Sequence, residues 1–217
     1  GLHRRTSDFR IRFTTSHPID ATERLFEAMR DCTSACEWLH LPVQSGSNRL
    51  LRAMRRGYTR EAYLDKIAQL RALIPDISLS TDIIVGFPSE TDEDFEQTVS
   101  LMRQVEYDNA YIFKYSPRPG TDAAAKEDSV PKEVKEARNQ TLLALQDEIA
   151  LKRFQRFEGR TVEVLMEGPG RKGGQFGRTR GNHGVIVESE EPLAGQTVHV
   201  RIARVTARKL FGERCPS

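Results

Sequence analysis

The stretch that most limits how this chain can fold is residues 77–95, ISLSTDIIVGFPSETDEDF. Its first ten residues are dense in β-branched and apolar side chains and hold no lysine or arginine, as expected of a strand covered on both faces. Gly86, Phe87 and Pro88 break the strand. Thr91 follows as a helix N-cap with Asp94 three residues on, and Phe95, Val99 and Met102 form an apolar stripe at helical spacing. A strand, a tight turn and a helix in that order make the unit of parallel α/β folds, where chemistry gathers at the carboxyl ends of strands. A site is therefore expected near residues 82–91.

The pattern recurs along the chain. Residues 9–15, 37–43 and 109–115 read as further strands, spaced widely enough for helical crossovers and parallel pairing. Asp20 is expected to cap a first helix with Glu23 at the capping-box position. Ser47 is expected to cap a second, ended by Gly57, and Thr59 to start a third. Each strand hands over to a polar or glycine-bearing turn, at 14–17, 44–47, 82–89 and 115–121. In an open parallel sheet or barrel these turns would share one face and build one site. Residues 131–157 read as a long helix that packs or connects, with no chemistry visible. Beyond Gly159, short alternating runs at 161–166, 184–188 and 197–205 alternate with glycine-rich turns, which predicts a small antiparallel barrel or sandwich. The expected organisation is an α/β domain over residues 1–157 and a second, β domain over 158–217.

Composition narrows the function classes. A chain of 217 residues can bury one sizeable core and a smaller one. No apolar run approaches the roughly 20 residues a membrane span needs, and no signal peptide is read, so a cytoplasmic protein with no membrane partner is expected. From Arg156 onward 11 basic residues face 7 acidic ones, whereas the rest of the chain is net negative. That excess points to a polyanion partner for the second domain.

Each individual motif also has a plainer reading. Cys32 and Cys36 have the spacing of the first two ligands of an iron-sulfur motif, but no third cysteine follows two residues later, and burial as small hydrophobes is the simpler expectation. No metal site is expected in this chain. Gly168, Gly170 and Gly173 satisfy G-x-G-x-x-G, yet the following GQFGRTRGNHG cannot form the helix that would hold a pyrophosphate, so the motif is read as a hairpin loop. Arg171, Lys172, Arg178, Arg180 and Lys209 with Phe176 instead offer backbone-charge contacts and a stacking surface for RNA, or else a solvated basic face. His17 beside Ser16 could suggest acid/base work, but no spacing marks a hydrolytic triad. His40, in mid-strand, is expected to be a satisfied core histidine, and no residue is assigned a catalytic role.

Five segments together, RFTTSHP (12–18), HLPVQSGS (40–47), RRGYTREAY (55–63), LSTDIIVGFPSET (79–91) and FKYSPRPGT (113–121), resemble the radical-SAM methylthiotransferases. The resemblance runs from about residue 10 to the end and is greatest to the branch that acts on tRNA. Residues 160–212, with EVLMEGP, GRTRGN and ARKLFGE, are similar to the TRAM module, a small RNA-binding β-barrel. The resemblance implies the C-terminal part of a partial (β/α) radical-SAM barrel followed by TRAM, with tRNA as partner. It implies S-adenosylmethionine as cofactor, and in the intact family enzyme two 4Fe-4S clusters whose ligands this chain does not carry. A C-terminal fragment or truncated product, inactive by itself, is therefore expected. Ser89 stands where the family usually has glycine.

By the same resemblance, Thr14, Ser16 and His17, then Gln44 and Ser45, then Asp82, Gly86 and Phe87 are candidates to contact S-adenosylmethionine. Tyr115, Ser116 and Arg118 are candidates to face the target nucleotide. The implied activity is methylthiolation of carbon 2 of an isopentenylated adenosine next to the anticodon. The alternatives are a non-catalytic RNA-binding protein, or a sister activity on a ribosomal-protein aspartate or on threonylcarbamoyl adenosine.

Overall fold

The computed structural model describes residues 9–12, 14–15, 17–117, 120, 127–171, 173–189 and 191–216. The stretch singled out above becomes β2 (Ser78–Val85), the middle of a parallel sheet ordered β1 (Trp38–His40), β2, β3 (Asn109–Lys114). Alternation decides which side chains are covered. Leu39, Leu79, Ile83, Val85 and Ala110 are buried against α3 (Arg60–Leu73), α4 (Asp92–Val105) and α5 (Lys132–Gln155), in a core with Tyr63, Leu70, Leu101, Leu142 and Ile149. Each such leucine, isoleucine or valine side chain, fully buried, contributes about 1.5–3 kcal/mol. Between them, Trp38, His40, Asp82, Tyr111 and Phe113 point to the other face, where Tyr111 and Phe113 are half exposed.

Several boundaries differ from the expectation for physical reasons. The strand expected over 37–43 stops at His40 because Pro42 cannot donate. The Thr81 hydroxyl takes over the ladder there, accepting from Val43 N (2.9 Å) and donating to the Leu41 carbonyl (2.9 Å). The expected strand over 9–15 has no continuous ladder among its described residues and touches its neighbours by two parallel bridges, Ile11 to Ala35 and Thr14 to His40. Asp20 caps nothing: Pro18–Asp20 is a 3-10 turn, and Thr22 caps α1 (Glu23–Asp31) by accepting from Leu25 N. Ser47 and Thr59 cap α2 (Asn48–Ala53) and α3, and Thr91 with Asp94 closes a reciprocal capping box on α4. At the end of α2 the chain turns left-handed twice, at Arg55 (φ 57°) and at the expected Gly57 (φ 68°).

α5 leads into β4 (Thr161–Pro169), β5 (Gln175–Thr179), β6 (Gly184–Val187), β7 (Thr197–Val205) and β8 (Leu210–Arg214), which close in the order β4-β5-β6-β8-β7. The pairings are antiparallel except β6 with β8, which corrects the wholly antiparallel expectation. The G-x-G-x-x-G motif forms the turn between β4 and β5, as the hairpin reading expects, and the residues that follow supply β5, whose Gly177 lies so close to the Leu165 carbonyl that a Cβ would not fit. Val164, Met166, Val185, Val198, Val200, Ile202 and Leu210 fill the barrel.

Asp108, just before β3, ties the two units together. Its carboxylate accepts from Leu79 N (2.9 Å), from His183 Nε2 in the barrel (3.2 Å) and from Arg153 near the end of α5 (3.1 Å). Phe154 and Phe157 pack their rings on His183. Burial would raise the pKa of Asp108, but these partners outweigh it and hold the carboxyl down at about 2.

Candidate functional site

A cavity of about 1050 Å³ opens at the carboxyl ends of the three strands. Thr14, Gln44, Asp82, Phe87, Tyr115 and Ser116 line it, so six of the expected contact residues, from four separate turns, border one space. Asp82 comes from the uncovered face of β2 and lies 3.5 Å from His40 Nε2, whose other ring nitrogen is 3.0 Å from Ser80 Oγ. His40 is hydrogen-bonded, as a satisfied histidine would be, but it borders the cavity and is no core residue. Its position one removed from buried Leu39 carried that signal in the alternation. Gln44 holds a left-handed backbone (φ 69°) between two bonds to β2, donating to the Asp82 carbonyl (2.8 Å) and accepting from Ile84 N (2.9 Å). A non-glycine residue held this way costs of order 1 kcal/mol and is fixed by its surroundings.

Other candidates support the site from behind or lie elsewhere. Ser45 is fully buried; its hydroxyl accepts from Ser47 N (3.1 Å) and lies 3.4 Å from Thr98 Oγ1, which shapes the turn that presents Gln44. Gly86 (φ 70°) does not line the cavity. Its N–H donates to Glu90 Oε2 (2.6 Å), and a Cβ there would strike the Lys135 stem on α5, so the glycine serves packing. His17 caps the 3-10 turn by accepting from Ile19 N (3.3 Å), with its ring edge-on to Tyr58, and is not among the cavity's lining residues. Ser16 and Arg118 lie outside the described residues.

Residues not singled out from sequence complete the walls. Arg55 and Arg56 reach the cavity from the end of α2, and Phe113 and Lys114 from β3; Lys114 pairs with Glu136. The wall carrying Phe87 is braced by α5, where Arg138 pairs with Glu90 (2.8 Å) and Asp92 (2.6 Å). Burial raises the pKa of Glu90, countered by Gly86 N–H and Arg138.

The basic residues of the second unit divide into two groups. Phe176 has the Arg178 guanidinium 5.2 Å and the Lys209 ammonium 5.6 Å from its ring centre, and all three line a cleft of about 470 Å³ between barrel and sheet, with Trp38 and Tyr111 across from them. Arg171 is exposed at the β4–β5 turn. Arg180, expected among the RNA contacts, is turned the other way: it grips Glu37 with two bonds of 2.8 Å and the Ala35 carbonyl at 2.5 Å, so its charge holds the two units together. Lys172 lies outside the described residues.

Among the described residues no helix is long and apolar enough to cross a membrane, and no three His, Cys, Asp or Glu side chains gather as a metal site. Residues 2–102 match the radical SAM superfamily and residues 155–214 the TRAM domain. The chain is 48% identical over 205 residues to the tRNA-2-methylthio-N(6)-dimethylallyladenosine synthase of Methylacidiphilum infernorum, covering 94% of this chain and 44% of that protein. It is 51% identical to the enzyme of the same name from Acetivibrio thermocellus (94% and 43%) and 52% identical to that of Geobacillus thermodenitrificans (94% and 39%). The chain thus spans less than half the length of these curated relatives. Among solved structures, coproporphyrinogen III oxidase (HemN) of Escherichia coli, described as a radical SAM enzyme, shares the fold with a TM-score of 0.56 at 15% identity, over 95% of this chain and 51% of that one.

Proposed function

The chain belongs to the radical-SAM methylthiotransferase family and carries its TRAM module, and from that premise we propose that the protein methylthiolates carbon 2 of isopentenylated adenosine in tRNA. The observation that supports this most is the convergence of Thr14, Gln44, Asp82, Phe87 and Tyr115 on one cavity at the carboxyl ends of parallel strands.

The cavity's donor set suits S-adenosylmethionine. A hydroxyl, an amide and a carboxylate can orient ribose and amino groups, and Phe87, edge-on to Tyr115 at 5.3 Å, gives the adenine an aromatic wall. S-adenosylmethionine would supply the methyl group and, with a reduced cluster, the radical chemistry of the family. The residues of this chain do not fit the cluster itself: of three cysteines, Cys36 is buried with its thiol pKa pushed up by that burial, and Cys215 sits beside the end of β8 in the barrel. This chain's part is therefore to bind, orient and exclude water. Gln44 and Asp82 fix the ligand's polar edge, Phe87 and Tyr115 dry its apolar side, and the Phe176, Arg178 and Lys209 group with Arg171 holds RNA by backbone charge and stacking, which positions without reading sequence.

Deletion of the gene followed by nucleoside analysis of total tRNA tests the proposal. Loss of the methylthio group with accumulation of N6-isopentenyladenosine is expected. Unchanged levels of the methylthiolated nucleoside, or loss of methylthio from threonylcarbamoyl adenosine or a ribosomal protein instead, would overturn it.

A further inference from the structure

We propose that the cleft between barrel and sheet is a pocket for one unstacked RNA nucleotide, a near neighbour in the strand of the nucleoside in the strand-end cavity, and that Gln146 reads its base. The first indication is an acceptor with nothing to accept. Gln146 on α5 is 5% exposed, and its Nε2 donates to the Tyr107 carbonyl (3.0 Å). That bond fixes which way the amide faces, since the reverse would set two oxygens against each other. Its Oε1 is left without a partner, the condition in which a buried polar atom carries the full cost of its lost hydration. Among the described residues, no other buried side-chain atom left unpaired belongs to a residue lining the cleft or the cavity. The N–H groups on a base edge are donors of the kind this oxygen lacks.

The walls supply the second indication. Trp38 and the half-exposed Tyr111 stand on the sheet side, and Phe176 on the barrel side with the Arg178 and Lys209 cations beside its ring. Aromatic surface on two sides, with cations along one of them, suits a base and its phosphate. Lys209 takes part in no ion pair among the described residues, and Arg178 pairs with Glu167 (3.2 Å) in a part-exposed contact that water screens. The carboxylates in the lining are already held, Asp108 by His183 and Arg153, and Asp147 by Arg208 (3.2 Å).

Placement supplies the third. Trp38, Ser80 and Tyr111 line the cleft, while His40, Asp82 and Phe113, each two residues further along the same strands, line the cavity. Two residues of strand advance about 7 Å, which equals about two base-stacking steps. The two spaces therefore adjoin along the uncovered face of the sheet, close enough for nucleotides one or two positions apart.

This inference rests on the proposed binding of tRNA, and one titration separates the two claims. Trp38 is the single tryptophan of the chain, so its fluorescence reports on the cleft directly. A synthetic anticodon stem-loop should quench it on binding. Abasic sites are then placed singly at the target and at the two positions on either side. One neighbouring abasic site should abolish the quench and weaken binding about tenfold, whereas an abasic target should leave the quench in place. Tyr111→Ala, at a half-exposed side chain, should leave Tm unchanged and shrink that tenfold cost to about threefold. The unaltered protein should prefer one of the four bases at that position by about fivefold, and Gln146→Leu should flatten the preference to within about twofold while the quench persists. Stem-loop binding with no change in Trp38 emission, or a quench that every neighbouring abasic site leaves intact, would overturn the cleft and leave RNA binding standing. A stem-loop that does not bind at all would overturn both. Quenching by adenosine or uridine 5′-monophosphate that the stem-loop does not reproduce would assign the cleft to a free nucleotide and overturn its place on the RNA.

Discussion

In the five-stranded barrel every strand has a neighbour on both sides and the inward residues are valine, isoleucine, leucine and methionine. In the three-stranded sheet only the helix-facing side is apolar, and the other side presents Trp38, His40, Asp82, Tyr111 and Phe113 beside an open cavity. The two regions use the same alternation to opposite ends. Closing a sheet on itself turns both edges and one face into stability. Leaving one face of a sheet uncovered keeps hydrogen-bonding and aromatic groups within reach of a ligand, and the helices must then carry the stability alone. Keeping that division of labour requires a firm joint, and Asp108 with His183, Arg153 and Arg180 supplies it.

The two regions come apart most readily at that joint. Asp108→Ala leaves His183, Arg153 and Leu79 N without their acceptor and should cost about 3–5 kcal/mol, with one denaturation transition splitting into two. A single transition of unchanged midpoint would show that the units do not lean on each other through this carboxylate. Next in size, Val200→Ala opens a cavity in the barrel and should cost about 2–4 kcal/mol while leaving ligand affinity at the sheet unaltered. Weakened affinity there would mean that the barrel's packing reaches the cavity.

Acid titration should have a comparable effect. Asp108 is depressed to about 2 in the folded chain, and Asp94 is held well below the usual carboxylate range by Arg49, Ser47 and Thr91, which outweigh burial. A carboxyl depressed by folding stabilises above its unfolded pKa and loses that contribution as protons bind. Stability should therefore be flat above about pH 5 and fall by about 2 kcal/mol for Asp108 between about pH 4 and 2, as followed by urea midpoints. Asp108→Asn should remove the share of the slope that belongs to Asp108 and leave the share that belongs to Asp94. Smaller again, Thr91→Ala breaks the capping box on α4 and should cost about 1 kcal/mol, read as a lower Tm. Removing Arg171 and Arg178 should leave folding intact and reduce the salt dependence of tRNA binding by about one unit of slope for each phosphate no longer neutralised.

The parts of this fold that were readable in the sequence are those where local chemistry and tertiary packing agree. β2 holds no lysine or arginine and sets Leu79, Ile83 and Val85 at alternate positions toward the helices, as a strand in the middle of the sheet does, and Thr91 with Asp94 marks the start of α4 whatever surrounds it. The clustering of Thr14, Gln44, Asp82, Phe87 and Tyr115 followed from the topology alone, since parallel strands put all their exits at one end. Less readable were features created by distant partners. β5 and β8 are short and interrupted by glycines that make room for a neighbouring strand, so their own composition resembles a loop. Arg180 looks like any basic surface residue until Glu37, 143 positions away, is folded against it. Gly86 reads as a loop glycine freeing space for a ligand, and only the position of Lys135 on α5 shows what occupies that space.

α5 reaches both the cavity and the joint: Lys135 and Arg138 in its first turns brace the wall behind Phe87, and Arg153 and Phe154 in its last turn meet Asp108 and His183. A rod of 24 residues is about 36 Å long, and one inserted residue would lengthen it by about 1.5 Å while swinging everything beyond it through about 100°. Its residue count is therefore a phase setting as well as a length: an insertion short of whole turns would aim the Phe176, Arg178 and Lys209 face of the barrel away from the sheet.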